Sequence, residues 1–438
     1  MTLSIVGILI GMVFFVVTVY KGWSTYYAAP LSALIVFLFS GMDLGTSFTD
    51  FFVTGMGRGF QSTFLIILSG SILGQVYTST GAANALADGV FAFFNKFGNS
   101  EKKQRFYGLL VIYIVGGAMS MAGCSPFVCV MTVFPIALSI LSRLDISRKC
   151  LAVVTFAPTT FALVCPGSPV IYNTLPTRIM GVGGAAGLIP GLVAALIIEV
   201  GSFVYVYRLM GQKAPDGFVM TEKDRSFMPD RKELPNFWVS LLPLLAVFVC
   251  YNVLKLPVYA AVIIAALILL VTCHKYIGDG KRVKTVLGNA CRTAAFNAGN
   301  VAVVSGFGAA VVATPAYHWI VTTALEMNAH PLIVVAAVIA VLTGASGSAS
   351  GAANACLAEL GALATAQGVS AAAVARVAAC AASTLDTLPT QGVILTINDL
   401  TGMTHKETYR PIAIVTVVIT TIATIAAVAL FLAFPELA

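Results

Sequence analysis

Charged residues are scarce in this chain of 438 residues. They make up only 10% of the sequence, whereas hydrophobic residues make up 58%; a typical soluble domain is about 25% charged. A soluble fold of this length would lack the charges to cover its surface, and disordered or collagen-like classes do not fit so apolar a composition. Mean hydropathy is +0.94. The recurrent apolar runs therefore predict an all-α polytopic membrane protein with about 10–14 membrane helices, some of them discontinuous or re-entrant.

Sequence signatures of enzymes and metal sites are also lacking. The nine cysteines are scattered without metal spacing or a disulfide pattern. The chain contains no nucleophile elbow, no phosphate-binding loop, no HExxH and no CxxC. We therefore expect no enzymatic activity, no cofactor and no bound metal.

The net charge of +7 arises mostly from short basic stretches. They lie at residues 96–105, 143–149, 208–232, 275–292 and 406–410. In a membrane protein such stretches indicate the cytoplasmic side rather than a nucleic-acid partner. The polar segment 210–236 is predicted to be a cytoplasmic linker between a first membrane half, 1–209, and a second, 237–438.

Four segments interrupt the apolar regions with small, polar and helix-breaking residues. We number these breaks in chain order: break 1 is 120–126, break 2 is 165–178, break 3 is 343–354 and break 4 is 383–392. Proline and glycine free backbone groups that lipid cannot satisfy, so such breaks persist only inside protein or beside a wet cavity.

The breaks occur in the same order in both halves. Breaks 2 and 4 share a core, Asn173-Thr-Leu-Pro-Thr177 and Asp386-Thr-Leu-Pro-Thr390. Paired interruptions in corresponding halves are typical of transporters that bind substrate near the bilayer midplane. The pattern predicts two inverted structural repeats whose breaks meet.

The breaks are suited to binding a small anion. Broken helices present free N–H groups at the positive ends of helix dipoles. The predicted substrate-binding side chains are Ser125, Ser168, Asn173, Thr174, Thr177, Ser346, Ser348, Ser350, Thr387 and Thr390. The alternative is that small residues in these segments only allow close helix packing.

Asp386 is the predicted ion-coupling residue. It lies within break 4 between apolar runs, and carboxylates in such positions are costly and usually functional. Burial penalises the charged form of a carboxyl, which suits a group that takes up and releases a proton. A structural interpretation also stays open, in which the carboxylate caps the N–H groups of a half-helix.

Several motifs together resemble a known family. They are Gly22 to Leu34, Gly81-Ala-Ala, Pro166-Gly-Ser-Pro169 with Asn173 and Pro176-Thr177, Gly344 to Gly351, Leu385-Asp-Thr-Leu-Pro389, and Gly402-Met-Thr-His-Lys406. The chain resembles the gluconate permease (GntP-type) family of carboxylate:proton symporters, within the ion transporter superfamily. Thr390-Gln391-Gly392 and Val170 depart from the residues common in relatives, which leaves the transported acid open.

The resemblance implies a secondary active transporter of the bacterial inner (plasma) membrane that works by alternating access. Its partners would be the lipid bilayer, protons, and a small organic carboxylate or hydroxy acid of gluconate or hydroxybutyrate type. It also implies an inverted-repeat fold and a homodimer. Three alternatives stay open: sodium-coupled symport, organic-acid exchange, and a channel or membrane subunit of a larger complex.

Overall fold

A computed structural model gives the architecture of the chain. It describes residues 2–94, 100–121, 123–212, 217–227, 233–254, 256–325, 329–347 and 349–437. These residues form helices joined by turns, with no strand among them. The fold class predicted from hydropathy, an all-α polytopic membrane protein, is confirmed.

The helices before the polar segment are α1 (Thr2–Tyr20), α2 (Thr25–Phe39), α3 (Leu44–Ser47), α4 (Thr54–Thr80), α5 (Ala82–Phe94), α6 (Glu101–Met121), α7 (Pro126–Arg143), α8 (Leu151–Phe156), α9 (Ile171–Ile179) and α10 (Leu188–Met210). A π-helical stretch, Phe48–Val53, joins α3 and α4 into one continuous span. Short 3₁₀ turns follow α8 at Ala157–Thr159 and Phe161–Leu163.

The later helices are α11 (Glu222–Phe227), α12 (Phe237–Asn252), α13 (Val258–Thr272), α14 (His274–Ile277), α15 (Gly280–Val312), α16 (Pro315–Leu325), α17 (Pro331–Ser346), α18 (Ala349–Ala366), α19 (Ala371–Ala382), α20 (Gly392–Thr401), α21 (His405–Ala413) and α22 (Thr420–Ala433). A π-helical stretch, Ile414–Ile419, joins α21 to α22. In the described part of the chain, six helical spans are long and apolar enough to cross a membrane, and seven shorter apolar helices accompany them.

The two halves pack together along their longest helices. α4 lies against α15, and small residues allow the close approach: a Cβ at Gly59 would lie 2.4 Å from the Ser305 side chain. α4 also packs against α7 and α13. The core is therefore continuous between residues on either side of the polar segment.

Both halves present their helices in the same order. After the long span ending in α4, two helices precede break 1, which separates α6 from α7. After α15, two helices precede break 3, which separates α17 from α18. Breaks 2 and 4 then precede α9 and α20. The two inverted repeats stay a prediction, with which this order agrees.

The polar segment is docked on the membrane helices through a buried ion pair. Arg148 donates from Nε to Asp224 Oδ2 at 2.6 Å and from its terminal nitrogen to Oδ1 at 2.8 Å. Arg148 also donates to the Thr401 carbonyl at the end of α20. Thr221 donates to Asp224 from its backbone N–H and its hydroxyl at 3.0 and 2.8 Å. The segment thus ties the start of α8 to the end of α20.

Candidate functional site

The four breaks are present, but each is shorter than the segment marked in the sequence. Among the described residues, irregular backbone covers 123–125, 164–170, 347 and 383–391. Small residues are compatible with helix once neighbouring helices pack around them, so much of break 3 is helical. Its turn is made by Gly347, whose φ of +62° favours glycine.

Asp386 lies where breaks 2, 3 and 4 meet. The residue is 3% exposed and lies between α19 and α20. Its Oδ2 accepts a hydrogen bond from the Tyr172 hydroxyl, at the start of α9. Its Oδ1 accepts a hydrogen bond of 3.1 Å from the backbone N–H of Ala349, the first residue of α18. One carboxylate therefore joins segments from both halves.

The contact with α18 places the carboxylate at a helix N-terminus. The first N–H groups of a helix have no partner within it, and the helix dipole favours negative charge there. Asp386 therefore does cap a half-helix, which was the structural interpretation of its position. The described residues give it no ion-pair partner, because their salt bridges are Arg143–Asp88, Arg148–Asp224 and Lys223–Asp399.

Arg376 ties α19 to break 2 and to the turn between α9 and α10. The residue is 0% exposed within α19, and its guanidinium donates to Asn173 Oδ1 at 2.8 Å. It also donates to the carbonyls of Val164, Gly184 and Ala186 at 2.7–3.2 Å. These five hydrogen bonds match the five N–H donors of the guanidinium in number, and all of their acceptors are neutral.

Small residues on α10 make room for that guanidinium. A Cβ at Gly191 would lie 2.8 Å from Arg376 Cδ, so a larger residue there would displace the arginine. Asn173 completes the cluster by donating from Nδ2 to the carbonyls of Ser168 at 2.7 Å and Gly184 at 3.1 Å. Asn173 is therefore part of a buried scaffold beneath break 2.

The predicted hydroxyls of breaks 1 and 2 bond mainly to nearby backbone. Ser125 caps α7 by accepting from the N–H of Val128 at 3.4 Å. Ser168 is buried and accepts from the N–H of Val170 at 3.4 Å. Thr174 is exposed, Thr177 is buried, and each donates to the carbonyl four residues earlier in the chain.

The predicted hydroxyls of breaks 3 and 4 differ in their surroundings. Ser346 donates to the Leu342 carbonyl at 2.7 Å, and Ser350 lies half-buried in the first turn of α18. Thr387 donates to the Thr416 hydroxyl at 2.6 Å. Thr390 is 6% exposed, and the described residues provide its hydroxyl with no partner. Ser348 lies outside the described residues.

Sequence analysis missed two residues that organise this region. Tyr172 directly precedes Asn173 in break 2, and it supplies the donor to Asp386. Arg376 was not assigned a role, although a charged residue in an apolar, alanine-rich helix marks a functional or structural site by default. That rule would have singled out Arg376, whereas nothing in the sequence pairs Tyr172 with Asp386.

The arrangement is one of hydrogen bonds and helix ends rather than of metal ligands. In the described part of the chain, no group of three or more His, Cys, Asp or Glu side chains is placed to hold a metal ion. The junction of the three breaks can hold a proton on Asp386 and offer N–H and hydroxyl donors to an anion.

Comparisons with known proteins give a family and two similar proteins. A family model described as GntP family permease matches residues 1–433. The uncharacterized transporter YxjC of Bacillus subtilis (strain 168) is 26% identical over 223 residues, which cover 50% of this chain and 45% of that relative. The chain thus matches about half the length of that relative. The crystal structure of the Alcanivorax borkumensis YdaH transporter, reported to have an unusual topology, has a TM-score of 0.43 and 15% identity, and the match covers 87% of this chain and 88% of that one.

The chain is a multi-pass membrane protein of the bacterial inner (plasma) membrane, and the family model that matches it is one of permeases. The chain belongs to the GntP permease family, whose model covers almost all of it. The resemblance inferred from the sequence motifs is confirmed.

Proposed function

We propose that the chain is a proton-coupled symporter of a small organic carboxylate or hydroxy acid, working by alternating access. The observation that carries the proposal is the position of Asp386, buried at the junction of breaks 2, 3 and 4 without an ion-pair partner among the described residues. Burying a carboxylate in a membrane protein is costly, so such residues usually have a function, and proton relay is a common one.

The surroundings of Asp386 favour a proton over sodium. Tyr172 and the N–H of Ala349 each direct a hydrogen-bond donor at the carboxylate, one at each oxygen. A sodium ion requires several oxygen ligands that point their lone pairs at it, whereas the described contacts of Asp386 are hydrogen-bond donors rather than further ligands. A proton needs only one of the two oxygens.

Coupling follows from charge. A carboxylate substrate at the N-terminus of α18 would compete with Asp386 for the same N–H groups and repel its negative charge. Protonation of Asp386 removes the repulsion and releases the N–H of Ala349 for the substrate. The proposed lining includes Thr390 and the other predicted hydroxyls of the four breaks, and Asn173 holds break 2 in shape behind them.

Uptake into proteoliposomes with an imposed pH gradient tests the proposal. Gluconate, hydroxybutyrate, lactate and citrate would be offered separately, each with and without Na⁺. We expect uphill accumulation of at least one acid driven by the proton gradient alone. Accumulation that requires Na⁺ would replace proton coupling by sodium coupling. An exchanger would instead show counterflow without any ion gradient and no uphill uptake when an ion gradient is imposed.

A further inference from the structure

A groove separate from the breaks lies between the start of α6 and the end of α10. Its volume is about 500 Å³. Three basic residues line it, Lys102 and Lys103 from the first turn of α6 and Arg208 from the last turn of α10. All three residues are exposed. One end of the groove is therefore strongly positive.

The rest of the groove is aromatic. Phe106 lies one helical turn beyond Lys102, and its ring contacts those of Phe203 and Tyr207 edge-on, with centroids 5.4 and 6.0 Å apart. Beyond them, Tyr113 contacts Phe203 at 5.1 Å. Tyr113 is buried behind the groove and does not line it. On α10 the lining runs from Phe203 to Arg208, a rise of about 7.5 Å, which is about half the thickness of one leaflet of the hydrocarbon core.

The structure fixes this arrangement of a charged end and an apolar wall. The Tyr207 hydroxyl donates to the carbonyl of Lys102 at 3.2 Å, which pins the ends of α6 and α10 together. The N-terminus of α6 adds the positive end of a helix dipole to the basic side chains. Two acidic residues lie on these helices: Glu101 begins α6 next to Lys102, and Glu199 lies two turns deeper on α10 than Tyr207. Neither lines the groove, whose charged lining residues are all basic.

We propose that this groove binds one anionic phospholipid of the cytoplasmic leaflet. The phosphate would contact Lys102, Lys103 and Arg208, and an acyl chain would lie along Phe106 and Phe203. A ligand with a negative head and an apolar tail matches both ends of the groove, whereas free phosphate would use only one. Basic pockets between membrane helices near the cytoplasmic surface are suited to such headgroups.

Lipid titration of the purified chain in an uncharged detergent tests the proposal, with native mass spectrometry as the readout. The probes are dioleoyl phosphatidylglycerol, dioleoyl phosphatidylcholine and glycerol phosphate. We expect one phosphatidylglycerol to remain bound at concentrations at which phosphatidylcholine does not, and no binding of glycerol phosphate alone. Equal retention of the two lipids, or binding of glycerol phosphate as tight as that of the lipid, would overturn the proposal.

Substitutions identify the groove as the place of binding. The triple variant Lys102→Gln, Lys103→Gln, Arg208→Gln should bind phosphatidylglycerol at least about tenfold more weakly, since each basic residue near an anionic headgroup contributes to affinity. Val204→Trp fills the groove without changing its charge. Val204→Trp should also reduce lipid retention if the lipid occupies the groove. If anionic lipid is attracted only nonspecifically to positive charge, this substitution should leave retention unchanged.

A matched control comes from another basic helix start. Lys281, Arg282 and Lys284 are three exposed basic residues in the first turn of α15, and none of them lines the groove. Their triple substitution by Gln should leave phosphatidylglycerol binding unchanged. Equal loss in both triple variants would refute a specific groove. If the Val204→Cys variant forms cross-links between two copies of the chain, the groove is covered by protein, and that result also overturns the proposal.

Discussion

Tyr172 donates a hydrogen bond to Asp386 across 214 positions of sequence, and this contact joins break 2 to break 4. The N–H of Ala349 adds break 3 to the same carboxylate. Three interrupted segments therefore depend on one ionisable group. A change in the charge of Asp386 alters hydrogen bonds to both halves at once, which is the requirement for coupling an ion to a conformational change.

Asp386→Asn should abolish proton-driven accumulation while substrate binding persists. The amide keeps the size of the carboxyl but has no charge to titrate, so the proton gradient can no longer drive uptake. Uphill uptake should fall to the level of liposomes without protein, whereas counterflow with substrate on both sides should continue. Asp50→Asn, at an exposed position in the span of α4, is the matched control. Normal uphill transport by the Asp386 variant would remove this residue from the mechanism.

Tyr172→Phe should slow transport with little effect on folding. The substitution removes only the hydroxyl that donates to Asp386, and a hydrogen bond to a charged group contributes about 1.5–3 kcal/mol, so we expect roughly tenfold slower uptake. Initial rates in proteoliposomes measure the effect. Tyr113→Phe removes a comparable buried hydroxyl, which bonds to Ser202 at 3.2 Å away from the breaks. Equal effects of both substitutions would contradict a specific role for Tyr172.

Arg376→Gln should destabilise the chain severely. The guanidinium satisfies Asn173 and three backbone carbonyls in the interior, and a shorter side chain leaves most of them without a donor. The loss of several buried partners costs about 3–5 kcal/mol. Thermal unfolding in detergent should show a lower Tm and poor recovery of monodisperse protein. A Tm equal to that of the wild type would show that the cluster around Arg376 contributes little.

Thr390→Val should weaken substrate affinity without lowering stability. The Thr390 hydroxyl has no partner among the described residues, so it is available to a ligand, and its loss should raise the apparent KM about tenfold. Thr387→Val gives the contrast, because Thr387 already bonds to Thr416. That variant should lower Tm with a smaller change in KM. An unchanged KM for Thr390→Val would argue against contact with substrate.

Asp224→Asn should loosen the polar segment at neutral pH. Burial alone would raise the pKa of Asp224, but hydrogen bonds from Arg148 and Thr221 outweigh it and hold the pKa below the usual 3.8. Because the folded pKa is lowered, the stabilisation is present above the unfolded pKa and is lost as pH falls through the folded one. At pH 7 we expect a loss of ~2 kcal/mol.

The pH dependence gives the check for Asp224. The difference in Tm between wild type and Asp224→Asn should be constant from pH 7 to 5 and should shrink below about pH 4. Lys223→Gln is the comparison, because Lys223 is next to Asp224 in the chain and its ion pair with Asp399 is partly exposed. This substitution should lower Tm much less. A difference that grows on acidification would contradict the assigned pairing.

The sequence determined the class of protein and the places where its helices break, and it singled out Asp386 as the predicted ion-coupling residue. Hydropathy forces helices into the membrane, proline and glycine interrupt them, and an isolated aspartate between apolar runs stands out because its burial is costly. These are local properties, so they can be read along the chain. The family followed from motifs inside and outside the breaks, which span both halves, and the family model confirms it.

Only the tertiary structure decided what each interrupted segment contacts. Tyr172 and Asp386, or Arg376 and Asn173, are about two hundred positions apart, and no local pattern pairs them. The extent of the breaks was also decided by packing, since small residues in break 3 accept a helix once neighbouring helices surround it. Local chemistry fixes which groups lipid cannot satisfy, and the three-dimensional fold fixes which partners satisfy them.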